Sequence, residues 1–330
     1  MTNYCGLFNL GNTCFMNSII QILYHTEDLR LSMKLPILKN LSSKTQLLSE
    51  WFSLINEMEI SKESISPDRF LLEFQNFADQ ENLVNFTNYG QNDASEFLII
   101  LMDYIHENLS RKVNMNINGK VQNNKDKFTK ICLEKMKEMY SNKYSELLPI
   151  FYGLMGTQVR TSDKLEVVAL TPQPFFILNL PIPNEKKEPT IEDCLSLYFK
   201  PEKVEYKVNN EMKNCEKNIL INNFPNVLII CFNRFTYMNR KQHKTIYFPF
   251  ENLDINKFVS GYNSNKEYVY DLYGICNHSG SSLGGHYTSM VKTANGKWYN
   301  FNDRIVSEIN SSVHNIYSKA YVLFYRKKKQ

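Results

Sequence analysis

The hydrophobic period of this chain changes once, near residue 150, and that change constrains the fold more than any other feature. Before it, apolar residues recur at helical spacing. After it they alternate or run together in β-branched stretches. "FMNSIIQILYH", following Cys14, places Phe15, Ile19, Ile22 and Leu23 on one helical stripe, and residues 45–58 repeat the pattern. Residues 66–74 predict a helix with Ser66 as its cap and Pro67 at its first helical position. Residues 93–109 predict the strongest helix, with Asp93 as cap and Glu96 completing a capping box. Residues 110–127, rich in Lys and Asn, read as a loop, with a further helix at about 129–142. From 151 onward "TQVRTSDKLEVVAL", "FFILNLPIP", "NVLIICFNRFTYM", "EYVYDLYGICNH", "GGHYTSMVKT", "GKWYNFNDRIV" and "KAYVLFYRK" read as strands, with "TIEDCLSLYF" as a short helix. Helices first and strands after predict an α+β chain of two lobes, approximately 1–150 and 151–330, with a cleft between them.

Function classes narrow by exclusion. A net charge of +4 over 330 residues does not suggest a nucleic-acid partner, and the basic end "RKKKQ" reads as a solvated tail. The seven cysteines (5, 14, 132, 194, 215, 231 and 276) form no C-x-x-C pair, so neither a disulfide framework nor a zinc site is expected. No basic-then-apolar leader opens the sequence and no apolar run has the length of a membrane span. The expectation is a soluble intracellular protein in the cytoplasm, the nucleus or both, a monomer by default, without membrane association.

Cys14 raises the chemical question. It stands where the helix over "FMNSIIQIL" begins, and a helix N-terminus stabilises a thiolate. The same residue can equally be a small buried hydrophobe. A nucleophilic thiol needs a base, and that base needs an orienting group. Of the six histidines, His25 and His106 sit inside helical runs, and His243 and His314 in undistinguished polar stretches. His286 follows "GSSLGG" and opens an alternating strand, with His278 as runner-up. Asn295-Gly296 predicts a two-residue hairpin turn, so that paired numbers sum to 591. That register sets Asn302 opposite Ser289, roughly 10 Å along the strand from His286 and on the other face. A bulge or longer loop would be needed to bring the two together.

"GLFNLGNTCFMNSIIQIL" (6–23), and "YGICNHSGSSLGGHYTSMV" with "KWYNFNDRIVSEI" (273–309), resemble the Cys and His boxes of the ubiquitin-specific proteases. "QNDASEFL" (91–98) resembles an internal box of that family, with Asn92 in place of a Gln. "PFFILNLPIP", "TIEDCLSLYF", "FPNVLIICFNRF" and "YFPF" follow in the expected order. The resemblance covers essentially the whole chain. It implies a single catalytic domain with the papain-like cysteine protease fold: a helical thumb, a β-rich palm and reduced fingers. It implies a deubiquitinase acting on ubiquitin and ubiquitinated proteins, with Cys14 as nucleophile, His286 as base and later acid, and Asn302 as third member. Asn9 would help form an oxyanion hole. Asp303 would either lend the charge that an amide at 302 lacks or be a surface turn residue. Asp93 would hold the basic ubiquitin tail, the favoured role, or act only as a helix cap. Gln91, Gly284, Gly285 and Tyr287 would line the tail channel, with residues 278–285 as a loop over it.

The match fails where most members carry two zinc-binding C-x-x-C pairs. Residues 157–168 contain no cysteine, and in 206–218 Cys215 stands alone. One thiolate cannot build a tetrahedral site, so no zinc and no cofactor is expected, and any fingers would be short and held by strand packing. A catalytically weak ubiquitin-binding module, and a peptidase for a ubiquitin-like modifier, are the alternatives.

Overall fold

The computed structural model describes residues 4–88, 90–235, 241–263, 267–281, 284–309 and 316–329. His314, Ser282 and Leu283 of the glycine-rich loop, and the end of "NVLIICFNRFTYM", lie outside the described residues. In chain order the helices are α1 (Cys14–Tyr24), α2 (Glu27–Met33), α3 (Pro36–Leu41), α4 (Gln46–Ile60), α5 (Asp68–Gln80), α6 (Ala94–Leu109), α7 (Asn124–Tyr140), α8 (Leu147–Phe151) and α9 (Ile191–Tyr198). The strands are β1 (Gly153–Thr161), β2 (Val167–Phe175), β3 (Ile177–Leu180), β4 (Glu202–Val208), β5 (Glu211–Asn223), β6 (Val227–Phe232), β7 (Leu253–Asp254), β8 (Val269–Gly280), β9 (Gly285–Lys292), β10 (Trp298–Asn302), β11 (Ile305–Glu308) and β12 (Ala320–Lys327). The α+β class holds, with helices before residue 152 and strands after it, α9 excepted.

Three local expectations shift. Pro67 is the cap of α5 rather than its first helical residue, and Ser66 lies one position earlier. Asp93 caps α6 by accepting from the N–H groups of Ser95 and Glu96, the Asp93 half of the expected box. The third difference is larger. α7 begins at Asn124, inside the stretch read as loop, because Asn123 and Asp126 form a reciprocal capping box that its polar composition concealed.

The chain divides into two compact units that do not follow the boundary near 150. One holds residues 1–110, 234–245 and 272–324; the other holds 111–233, 246–271 and 325–330. The third stretch of the first unit therefore returns strands to the N-terminal helices, and α7 and α8 belong with the second.

In the first unit α1 is buried almost throughout, with Met16, Ile19, Ile20 and Ile22 at 0% exposure. Each such side chain contributes about 1.5–3 kcal/mol by leaving water. Phe15 meets Phe86 and Phe97 edge-on, and Phe97 meets Phe74. β8, β9, β10 and β11 form consecutive antiparallel pairs.

In the second unit four antiparallel strands run in the order β2-β1-β5-β4. They occupy the region where the resemblance places fingers. Phe128 and Cys132 of α7 bury against Leu154, flanked by Leu133, Met136, Leu170 and Leu220. β3 and β6 pair in parallel.

Candidate active site

The loop before α1 is built by its own polar side chains. Asn9 Oδ1 accepts from the backbone N–H of Gly11 and of Thr13, both at 3.1 Å, and Thr13 Oγ1 accepts from Leu10 N–H at 2.9 Å. This network turns the chain so that Thr13 is the cap and Cys14 the first residue of α1. Cys14 is 5% exposed. Burial pushes its thiol up, above the ordinary value, and the Asp303 carboxylate adds to that rise; the backbone N–H of Tyr287 donates toward the sulfur and opposes it. Loss of hydration disfavours the Cys14 thiolate more than the local donors favour it.

The second strand pair carries the decisive correction. Trp298 pairs with Lys292 and Phe301 with Ser289, so paired numbers sum to 590 rather than 591. The turn closes with Thr293 N–H on Lys297 O at 3.0 Å and Gly296 N–H on Thr293 O at 2.9 Å. Gly296 has φ +81, so three residues rather than two connect the strands, with glycine in the left-handed position. A one-residue slip transfers every side chain to the opposite face. It puts Asn302 on the face of His286, and His286 Nε2 meets Asn302 Oδ1 at 2.6 Å. An amide oxygen only accepts, so Nε2 is the donor, and in the neutral ring the lone pair is on Nδ1.

Asp303 takes a different place from Asn302. With φ 50, its backbone lies in the left-handed region, and its carbonyl accepts from Leu7 N–H at 3.1 Å. Its Oδ2 accepts from Asn9 Nδ2 at 3.0 Å and its Oδ1 from Asn17 Nδ2 at 2.8 Å. The carboxylate thus serves the loop before Cys14, while the neighbouring amide serves the imidazole. Sequence reading missed Asn17. Its signal was an amide inside the apolar run "CFMNSIIQIL", a poor helix residue at a position that proves 2% exposed.

Of the residues expected along the tail channel, Gln91 and Gly285 are bonded to each other, and Asp93 has partners of its own. Asp93 Oδ1 caps α6 through Ser95 and Glu96, and its Oδ2 accepts from Tyr321 O–H at 2.6 Å. Tyr321 was not singled out from the sequence, and nothing in its strand pattern marks it. Gln91 Oε1 accepts from Gly285 N–H at 2.7 Å, and Gln91 Nε2 donates to Asn12 Oδ1 at 3.3 Å. A Cβ on Gly285 would lie 2.2 Å from His278 Nε2, so only glycine fits there. Gly284 is exposed, with open space beside it. Tyr287 is 6% exposed, and its ring centroid lies 4.5 Å from that of His278.

His278, the runner-up base, is a buried neutral imidazole. Burial, with Lys241 as the next cause, lowers its pKa to about 4. Lys241 Nζ donates to the His278 carbonyl at 2.7 Å, and its own burial lowers it to about 8. Of the two histidines, His286 is the one oriented by an acceptor. Among the described residues no group of three or more His, Cys, Asp or Glu side chains is placed to hold a metal, and Cys215 is a buried free thiol in β5.

A family model described as ubiquitin carboxyl-terminal hydrolase matches residues 5–325. The chain belongs to that family. It is 32% identical to ubiquitin carboxyl-terminal hydrolase Usp2 of Drosophila melanogaster over 341 residues, covering 98% of this chain and 35% of the fly protein. It is 33% identical to ubiquitin carboxyl-terminal hydrolase 2 of Gallus gallus, covering 97% of this chain and 92% of the other. The chain spans 54% of the corresponding Bos taurus protein, and so only part of the length of several relatives. Among solved structures, Ubp8 in the SAGA DUB module bound to monoubiquitin superimposes with a TM-score of 0.74 at 25% identity, covering 99% of this chain and 70% of that one. The α+β fold of the ubiquitin carboxyl-terminal hydrolases is therefore that of this chain.

Proposed function

We propose that this chain is a thiol-dependent deubiquitinase that hydrolyses the peptide or isopeptide bond after the C-terminal glycine of ubiquitin. The observation that carries the reading is the contact of His286 Nε2 with Asn302 Oδ1, which places the neutral ring's lone pair on Nδ1, the atom that would serve as the base. Family membership supports it independently. His286 takes the Cys14 proton and the sulfur attacks the carbonyl. The oxyanion is met by the backbone N–H of Cys14 and the second hydrogen of Asn9 Nδ2, whose first is committed to Asp303. His286 then protonates the departing amine, and water attacks the thioester to release ubiquitin. Asn302 fixes the tautomer without adding charge; Asp303 positions Asn9.

The same reading takes residues 1–330 as a single ubiquitin-specific protease catalytic domain, with thumb, palm and fingers as above. Gln91, Asp93, Gly284, Gly285 and Tyr287 would form the tail channel, Asp93 and Gln91 exchanging their internal partners for the tail. The partners are ubiquitin and ubiquitinated proteins, and the protein acts as a monomer in the cytoplasm or nucleus. No membrane anchor is invoked, in keeping with the absence of a helix long and apolar enough to cross a membrane among the described residues.

The test is reaction with ubiquitin bearing a C-terminal electrophile, comparing the parent with Cys14→Ala and His286→Ala. A covalent adduct that requires Cys14 and slows without His286 is expected. Ubiquitin binding without any adduct would instead favour the catalytically weak binding module. Reaction only with a ubiquitin-like modifier would reassign the substrate.

A further inference from the structure

The loop before Cys14 is held at two places by different partners. At Asn12 it is held by Gln91, which also holds Gly285. At Asn9 it is held by Asp303, whose chain neighbour is Arg304. The first place belongs to the tail channel. The second carries side chains that the reaction as described does not use. Phe8, next to Asn9, is 39% exposed although it is a large aromatic, and the Arg304 guanidinium lies 5.9 Å from its ring centroid. Ile305, next in chain, is 58% exposed. Arg304 has no carboxylate partner among the described residues.

These side chains stand on a fixed backbone. Phe8 N–H donates to Ile65 O at 2.9 Å, the Phe8 carbonyl accepts from Asn17 Nδ2 at 3.2 Å, and the Arg304 carbonyl accepts from Ser64 Oγ at 2.8 Å. Arg304 and Ile305 also line a polar groove of about 960 Å³ with Tyr4, Lys62, Glu63 and Tyr299. Of its two acidic residues, Glu308 is paired with Lys297 at 2.8 Å, and Glu63 forms no ion pair with Arg304. A rigid, exposed aromatic and an uncompensated guanidinium, both one residue from the groups that organise the reacting centre, make a preformed recognition surface.

We propose that Phe8 and Arg304 form the leaving-group platform: they bind the acceptor polypeptide around the modified lysine and favour acceptors with a carboxylate beside that lysine. The inference rests on the deubiquitinase reading above. The acyl part of the substrate and the departing amine diverge from the scissile carbonyl. With the tail at Gln91 and Gly285, the acceptor on this assignment lies beside Phe8 and Arg304, the chain neighbours of Asn9 and Asp303. There the lysine's aliphatic stem meets the Phe8 ring, and a flanking carboxylate meets the guanidinium that the protein leaves unpaired.

The experiment uses three substrates of one enzyme: ubiquitin amide-linked to aminomethylcoumarin, and ubiquitin isopeptide-linked to the lysine of a peptide with either acidic or basic flanks. Arg304→Glu is expected to lower kcat/KM on the acidic peptide about fivefold and to raise it on the basic peptide by a similar factor, as for a solvent-exposed charge pair. Phe8→Ala is expected to lower both peptide substrates about threefold, the loss of part of one exposed ring contact. Both variants should leave coumarin release unchanged, because that leaving group does not reach the platform. Equal effects on all three substrates, or no effect on either peptide, would overturn the proposal. If the parent releases no coumarin, the deubiquitinase reading fails and this inference falls with it.

Discussion

The candidate active site and the four-stranded sheet of the second unit are held together by opposite means. Around Cys14 the order comes from single side-chain bonds between residues far apart in sequence: Asn9 and Asn17 to Asp303, Gln91 to Gly285, Asp93 to Tyr321. Each bond has one geometry, and losing one partner leaves the other unpaired. In the sheet β2-β1-β5-β4 the order comes from repeated backbone ladders, closed by a small apolar cluster around Phe128, Cys132 and Leu154. There most members of the family, by the resemblance, use zinc. A ladder with an apolar face tolerates replacement of its parts, whereas a network of single bonds places reacting atoms but has little redundancy.

That contrast predicts effects of graded size. Cys14→Ala should lower hydrolysis of a ubiquitin–coumarin amide by about 10⁴-fold or more with the far-ultraviolet circular dichroism unchanged. A folded variant retaining substantial activity would break the assignment of the site. Asp303→Ala should cost about 10² to 10³ in kcat by releasing Asn9, the amide proposed for the oxyanion hole. Combining it with Asn9→Ala should add little, since both act on one group; full additivity would separate the two residues. Asn302→Asp should retain activity because a carboxylate also accepts from Nε2, whereas Asn302→Ala should not.

In the sheet, Phe128→Ala should destabilise the protein by about 3 to 4 kcal/mol in urea titrations, the ordinary cost of an aromatic cavity. A negligible loss would show that the cluster does not replace a metal. His278 gives a pH test of the first unit. Its pKa is lowered to about 4, so as pH falls from 6.5 the unfolded chain binds the proton first and stability drops, the loss completing near pH 4. The expected loss is about 3 kcal/mol, read from urea midpoints across that window, and it should shrink in His278→Asn. Lys241, Asp93, His243 and Arg234 also act on this imidazole, so the slope is compared with that of Lys241→Met. The smallest effect is expected from EDTA, which should leave the melting temperature unmoved. A fall of several degrees would reveal a metal in the protein.

Much was legible because it is local. The 3.6 and 2 periods, the order of the boxes, Cys14 at the head of a helix, and His286 at the head of a strand all depend on neighbours within a turn or two. So did the lack of cysteine pairs. The start of α7 was local as well, yet its capping box lay in a stretch dominated by Lys and Asn and read as loop.

What the sequence determined by itself was therefore which elements form, in what order, and which residue types stand ready to react. The tertiary structure alone decided the partners. It closed the turn at Thr293 and Lys297, and that one residue of register moved Asn302 onto the face of His286. It sent Asp303 to Asn9, 294 residues away, and buried His278 as a neutral ring. It also drew strands after residue 272 into one unit with the first 110 residues, across the change in period. The physical reason is the range of the forces. Propensity and period are properties of adjacent residues, whereas register, hydrogen-bond choice and the hydration lost by a thiol depend on what the rest of the chain brings within a few ångströms.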